Sequence, residues 1–138
     1  VERLRRVPRI SVLQFHGTES RAFCESFGRP YIKAVGVNGE RDIVDAADEH
    51  PGASALLLDA FDPVRWGGTG MRFDWNAVPE DRRKPLVLAG GLTPENVAEA
   101  VARVRPYAVD VCGGVEATRG KKDEAKVEAF MRSIDSVR

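Results

Sequence analysis

Short apolar runs alternate with amphipathic stretches along this chain. Residues 11–15, 31–35, 55–58, 86–89 and 108–111 are apolar runs with few polar interruptions, which suits strands buried on both faces of a parallel sheet. Residues 19–27, 40–48, 74–81, 94–104 and 123–137 carry a helical pattern. Within the fourth of these, Val97, Ala100, Val101 and Val104 fall at i, i+3, i+4 and i+7, one face of a helix laid on a sheet. In the last, Val127, Phe130, Met131, Ile134 and Val137 line one face, a core stripe rather than a cofactor box. Strand–helix units with short connections predict an α/β fold in which helices cover a parallel sheet. Residues 1–138 read as a single domain, without a linker or a low-complexity segment.

Glycines punctuate this pattern where two strands end. In PLVLAGGLTPENVAEAV, Gly90 and Gly91 clear side chains from a sharp turn and leave backbone N–H groups accessible. Thr93 is suited to cap the helix that follows, Pro94 to open it, and Glu95 to complement its dipole. Such a turn is an anion cradle or a purely steric one. The design recurs one unit later in YAVDVCGGVE, with Gly113 and Gly114. Two consecutive glycine-ended strands near the C-terminus match the phosphate site of (β/α)8 barrels, built from the loops after strands seven and eight. The long segment DAFDPVRWGGTGMRFDW, with Gly67, Gly68, Gly70 and Trp66, reads as a lid over a ligand, or as a plain connection.

Composition narrows the field. The 21 basic and 21 acidic residues leave no formal net charge, against a nucleic-acid or polyanion binder. No apolar run approaches the ~20 residues that span a bilayer, and no basic-then-apolar leader is seen. A cytoplasmic protein is the expectation. The opening VERLRRVPRI reads as a helix end running into a strand, which hints at a truncated beginning. Cys24 and Cys112 show no metal spacing. Cys24 shares a helical stretch with Phe23 and Phe27 and is read as a packing or surface thiol. Cys112 ends a strand beside the second glycine pair and is read as a small side chain filling a barrel mouth.

Polar residues at strand ends are the candidate chemistry, because barrels bind and catalyse there. Gln14 and His16 are two apart and share one side of the sheet. Asp59 terminates ALLLD. A carboxyl group at an apolar barrel mouth is able to donate a proton near neutrality, whereas a cap or an ion-pair partner is its plainer role. Lys33 and Asp110 interrupt their strands, and two opposite charges inside a barrel commonly pair because neither tolerates burial alone. His16 reads equally as a substrate contact or a loop cap.

VLQFHGTES, YIKAV, LLLDAF…GGTGMRFDW, LAGGLTPENVAEAV and VDVCGGVEATRGKKDEAKVEAFM, in that order along the chain, together resemble phosphoribosylanthranilate isomerase. The resemblance implies a (β/α)8 TIM barrel of the ribulose-phosphate-binding group. It further implies an Amadori rearrangement of N-(5-phospho-β-D-ribosyl)anthranilate to 1-(2-carboxyphenylamino)-1-deoxyribulose 5-phosphate in tryptophan biosynthesis, without metal or organic cofactor. By the same resemblance Asp59 is the general acid, and Gly90 and Gly91 form one phosphate loop. Cys112, Gly113 and Gly114 form the other. His16 stands near the aromatic part of the substrate, with Phe15 in place of the usual leucine, and Asp110 matches the aspartate of the last strand.

Two departures bear on these expectations. The family's last loop usually reads D-V-S-S-G-V-E, so the serine hydroxyls are lost here. The K-I-C-G-I-T segment that carries the family's general base, and the arginine that binds the anthranilate carboxylate, have no counterpart in this chain. A closed barrel needs eight strands and ~200 residues or more, and five units leave two open strand edges. The expectation is therefore about five C-terminal βα units of a barrel, inactive alone, with a phosphosugar ligand and self-association through the open edges as a second reading. A third is another phosphosugar barrel enzyme, such as indole-glycerol-phosphate synthase, disfavoured by the motif order.

Overall fold

The computed structural model describes residues 10–60 and 74–137. The lid expectation and the reading of the opening residues lie outside them, except for the ends of each stretch. Five strands, β1 (Leu13–Phe15), β2 (Tyr31–Val37), β3 (Ala55–Ala60), β4 (Leu86–Leu88) and β5 (Ala108–Val109), form one sheet whose spatial order is their chain order. Every neighbouring pair is parallel. Helices α1 (Arg21–Glu25), α2 (Glu40–Glu49), α3 (Val97–Val104) and α4 (Glu124–Asp135) are interleaved with the strands and follow the last one. A one-after-another parallel order with helical crossovers is the wall of a (β/α) barrel.

Strand pleating sorts residues between two faces. Val35, Leu56, Leu58 and Leu88 turn toward the helices and pack with Val97, Ala100, Val104, Phe130 and Ile134. Ala34, Leu57 and Ala89 form the inner cluster, joined by Ile32 and Val87. A separate aromatic cluster secures β1, with Phe15, Phe27 and Tyr31 around the fully buried Cys24. Its rings meet edge-on or tilted, Phe15 to Tyr31 at 5.7 Å and Phe15 to Phe27 at 5.4 Å between centroids, the arrangement that ring quadrupoles favour.

Several local expectations change. The helix expected over 74–81 is a single 3-10 turn, Trp75–Ala77, capped by Asp74. Pro79 explains the stop: it drives Val78 into extended backbone and removes a donor. The helix expected from Pro94 is regular only from Val97, because the Asn96 side chain ties the preceding turn together. Asn96 Oδ1 accepts from Thr93 N–H at 2.9 Å, and Nδ2 donates to the Gly91 carbonyl at 2.9 Å. Beyond β5, a two-stranded antiparallel ribbon that the apolar pattern had not announced pairs β6 (Glu116–Thr118) with β7 (Lys121–Lys122). Gly120, at φ +81°, lies between them. On α4 only Phe130 and Ile134 of the expected stripe are buried, and Val127, Met131 and Val137 are exposed.

Candidate functional site

Asp59 ends β3 on the inner face, two residues beyond Leu57, and is 9% exposed. Its Oδ1 accepts from the Ala60 N–H at 2.9 Å. Its Oδ2 lies 3.8 Å from Nε2 of His16, which β1 delivers from the same face. Gly90, at the end of β4, takes φ +77°, and a Cβ there would lie 2.7 Å from both Asp59 Oδ1 and Ala60 N. Glycine is thus required for two reasons, conformation and room, and the first glycine loop is packed directly on the acid. Gly91 follows at φ +63°.

The second loop closes against the first. A Cβ on Gly114 would collide with the Leu92 carbonyl oxygen, whereas one on Gly113 would meet open space. The two loops and three strand ends enclose a cleft of about 400 Å³, lined among others by Asp59, Gly90, Gly91, Asp110, Cys112, Gly113 and Gly114. Seven of the eight residues singled out from the sequence thus converge on one cavity, and His16 borders it through Asp59. Gly90 and Gly91 both take left-handed backbone, the kind of glycine turn whose backbone N–H groups can receive an anion.

Three readings are corrected by the geometry. Lys33 does not pair with Asp110: it lies on the helix-facing side of β2, 3.4 Å from Glu19 Oε2, while Asp110 opens on the cleft. Register decides this, since Lys33 is paired with Phe15 and Leu56, both helix-facing. Cys112 is not filler. It is exposed at the cleft rim, and Lys122 Nζ donates to its carbonyl oxygen at 2.8 Å and lies 3.5 Å from its sulfur. Thr93 does not cap α3 with its side chain. It hydrogen-bonds Glu95, the largest cause of that carboxyl being held below its ordinary pKa.

Lys122 is the residue that the sequence reading missed. Its 3.0 Å bond to Glu116 is the main reason its ammonium is held above, and the Glu116 carboxyl below, the ordinary pKa. The signal was GKK after the second loop, legible only once the ribbon is known to fold back. Among the described residues no three His, Cys, Asp or Glu side chains are grouped to hold a metal ion, and no helix is long and apolar enough to cross a membrane.

A parallel βα wall with two glycine loops and a buried acid at the strand C-termini places the chain among the (β/α)-barrel proteins. The chain belongs to the N-(5'phosphoribosyl)anthranilate (PRA) isomerase family, whose model matches residues 1–133. It is 56% identical over 125 residues to the N-(5'-phosphoribosyl)anthranilate isomerase of Pseudomonas fluorescens, covering 91% of this chain and 61% of that protein. The crystal structure of phosphoribosyl anthranilate isomerase from Thermotoga maritima superposes with a TM-score of 0.80 at 39% identity, over 93% of this chain and 63% of that one. A structure of such an isomerase in complex with reduced 1-(o-carboxyphenylamino)-1-deoxyribulose 5-phosphate matches with a TM-score of 0.69 at 36% identity, over 93% and 61% of the two chains. The chain thus spans about three fifths of the length of the curated relatives it matches.

Proposed function

We propose that this chain supplies the phosphate-holding and acid-bearing part of a phosphoribosylanthranilate isomerase. The observation that carries the proposal is the packing of Gly90 on Asp59: the anion loop and the acid are one construction, not two neighbouring features. Both loops grip the phosphate of N-(5-phosphoribosyl)anthranilate through backbone N–H groups. Asp59 protonates the ribose ring oxygen, the ring opens to a Schiff base, and a base removes the C2′ proton to give the enolamine. His16, 3.8 Å from Asp59, borders the anthranilate end, and Asp110 lines the wall beneath the sugar. No cofactor enters this scheme, and a cytoplasmic location is part of the same reading.

Among the described residues the base is the missing piece. Cys24 is fully buried on the helix side and Cys112 is fastened at the phosphate rim by Lys122, so neither stands opposite Asp59 as a free base. These 138 residues assayed alone are therefore expected to give no appreciable turnover. In a complete barrel, Asp59→Asn should lower turnover about a hundred- to ten-thousand-fold. Near-normal turnover there would remove Asp59 from the acid role.

A second reading, a phosphate-binding half-barrel that associates with its own copies, has its own support. Tyr107 is 82% exposed beside β5, and Val127 and Met131 are exposed on α4. Sedimentation separates the readings.

A further inference from the structure

Behind the cleft, on the opposite face of the sheet, lies a charged pair that the proposed reaction does not use. Lys33 is 6% exposed. Its Nζ donates to the Gly17 carbonyl at 2.6 Å and to the Ala34 carbonyl at 3.1 Å, and stands 3.4 Å from Glu19 Oε2. Glu19 Oε2 in turn accepts from the Gly17 N–H at 2.9 Å. Gly17 is thus held at both its backbone groups by two side chains of opposite charge. It is also the residue directly after His16, whose ring reaches toward Asp59.

Stability alone is a weak reason for this arrangement. Burying an ammonium carries a desolvation penalty, and a buried ion pair is often no more stabilising than apolar packing of the same volume. What such a pair does supply is a defined geometry, and here the geometry fixed is that of one turn. Burial opposes the Glu19 charge, but its hydrogen bonds from the Glu19 and Gly17 N–H groups and the Lys33 ammonium outweigh that, leaving its carboxyl below the ordinary pKa. The carboxylate is therefore present as an acceptor at neutral pH.

We infer that Lys33 and Glu19 are positioning residues: they clamp Gly17 from the helix side of the sheet and so hold the His16 ring toward Asp59 on the cleft side. The inference rests on the reading of His16 and Asp59 as parts of the site, but it concerns their geometry, not turnover.

The test is a double-substitution cycle read by nuclear magnetic resonance on the 138-residue chain. Asp59→Asn is introduced into the wild-type, Lys33→Met, Glu19→Ala and Glu19→Gln backgrounds, and its effect on the nitrogen resonances of the His16 ring is measured at neutral pH. In the wild-type background the substitution should move those resonances. In Lys33→Met and Glu19→Ala the effect should fall to about half or less, because the two groups no longer face each other. Glu19→Gln, whose amide oxygen still accepts from Gly17, should retain most of it. Thermal midpoints of the single variants report folding separately, and if Lys33→Met does not fold, Glu19→Ala decides. An effect undiminished in Glu19→Ala, or no effect of Asp59→Asn in the wild-type background, overturns the inference. Because the readout needs no catalysis, an inactive chain still answers it, and failure of the isomerase reading is recognised separately by turnover in a complete barrel.

Discussion

Gly113 and Gly114 are adjacent and chemically identical, yet their surroundings assign them opposite tolerance. Gly114 has its α-carbon against the Leu92 carbonyl, so any side chain there must push the two glycine loops apart. Gly114→Ser should cost roughly 2 kcal/mol or more of unfolding free energy and weaken inorganic phosphate binding, read by denaturant titration and calorimetry. Gly113 faces open space without a positive φ, and the family pattern carries serine at that position. Gly113→Ser should leave the unfolding midpoint within about 0.5 kcal/mol of the parent and tighten phosphate binding by supplying a hydroxyl. Gly90→Ala places a methyl against Asp59 in left-handed backbone, and should cost about 1–3 kcal/mol while displacing the acid. The glycines themselves were legible in the sequence, but which of them are sterically required was not. That depends on what approaches from another loop.

At the scale of elements, strand positions followed from the apolar runs, and strand faces did not. YIKAVGV is apolar on both sides, so nothing in its alternation says which face receives Lys33. Only the pairing of Lys33 with Phe15 and Leu56 settles it. Helix ends failed for a related reason: Asn96 and Pro79 overrule the pattern through side-chain bonding and a lost donor, both local and both stronger than periodicity. Within α4, Phe130 is buried among residues of β4 and α3, and Phe130→Ala should cost about 3–5 kcal/mol in chemical denaturation. His50 caps the end of α2 with its ring buried, 3.4 Å from the Tyr31 hydroxyl. Burial, reinforced by Lys33, holds its pKa below the ordinary 6.5. The unfolded chain therefore takes up the proton first on acidification. Stability from this group is complete above pH 6.5 and is lost as pH falls through the folded-state pKa. His50→Gln should flatten that part of a stability–pH profile, and an unchanged slope would reject the assignment.

For the whole molecule, the sheet has an order but no closure among the described residues: β1 and β5 each have one strand neighbour. On the half-barrel reading, these edges, open among the described residues, and the exposed Tyr107, Val127 and Met131 would favour association. The sedimenting mass should rise with protein concentration, and a strict monomer over a wide range would count against edge pairing. Closure is also where sequence reading had least purchase, since a strand says nothing of which edge will lack a partner. Because sheet order equals chain order, both glycine loops, and the acid packed beside them, arrive as one uninterrupted stretch. Such a stretch is inheritable as a unit: it can be spliced beneath new neighbours that treat the remainder of a ligand differently, while the hold on an anion proposed for it would travel along.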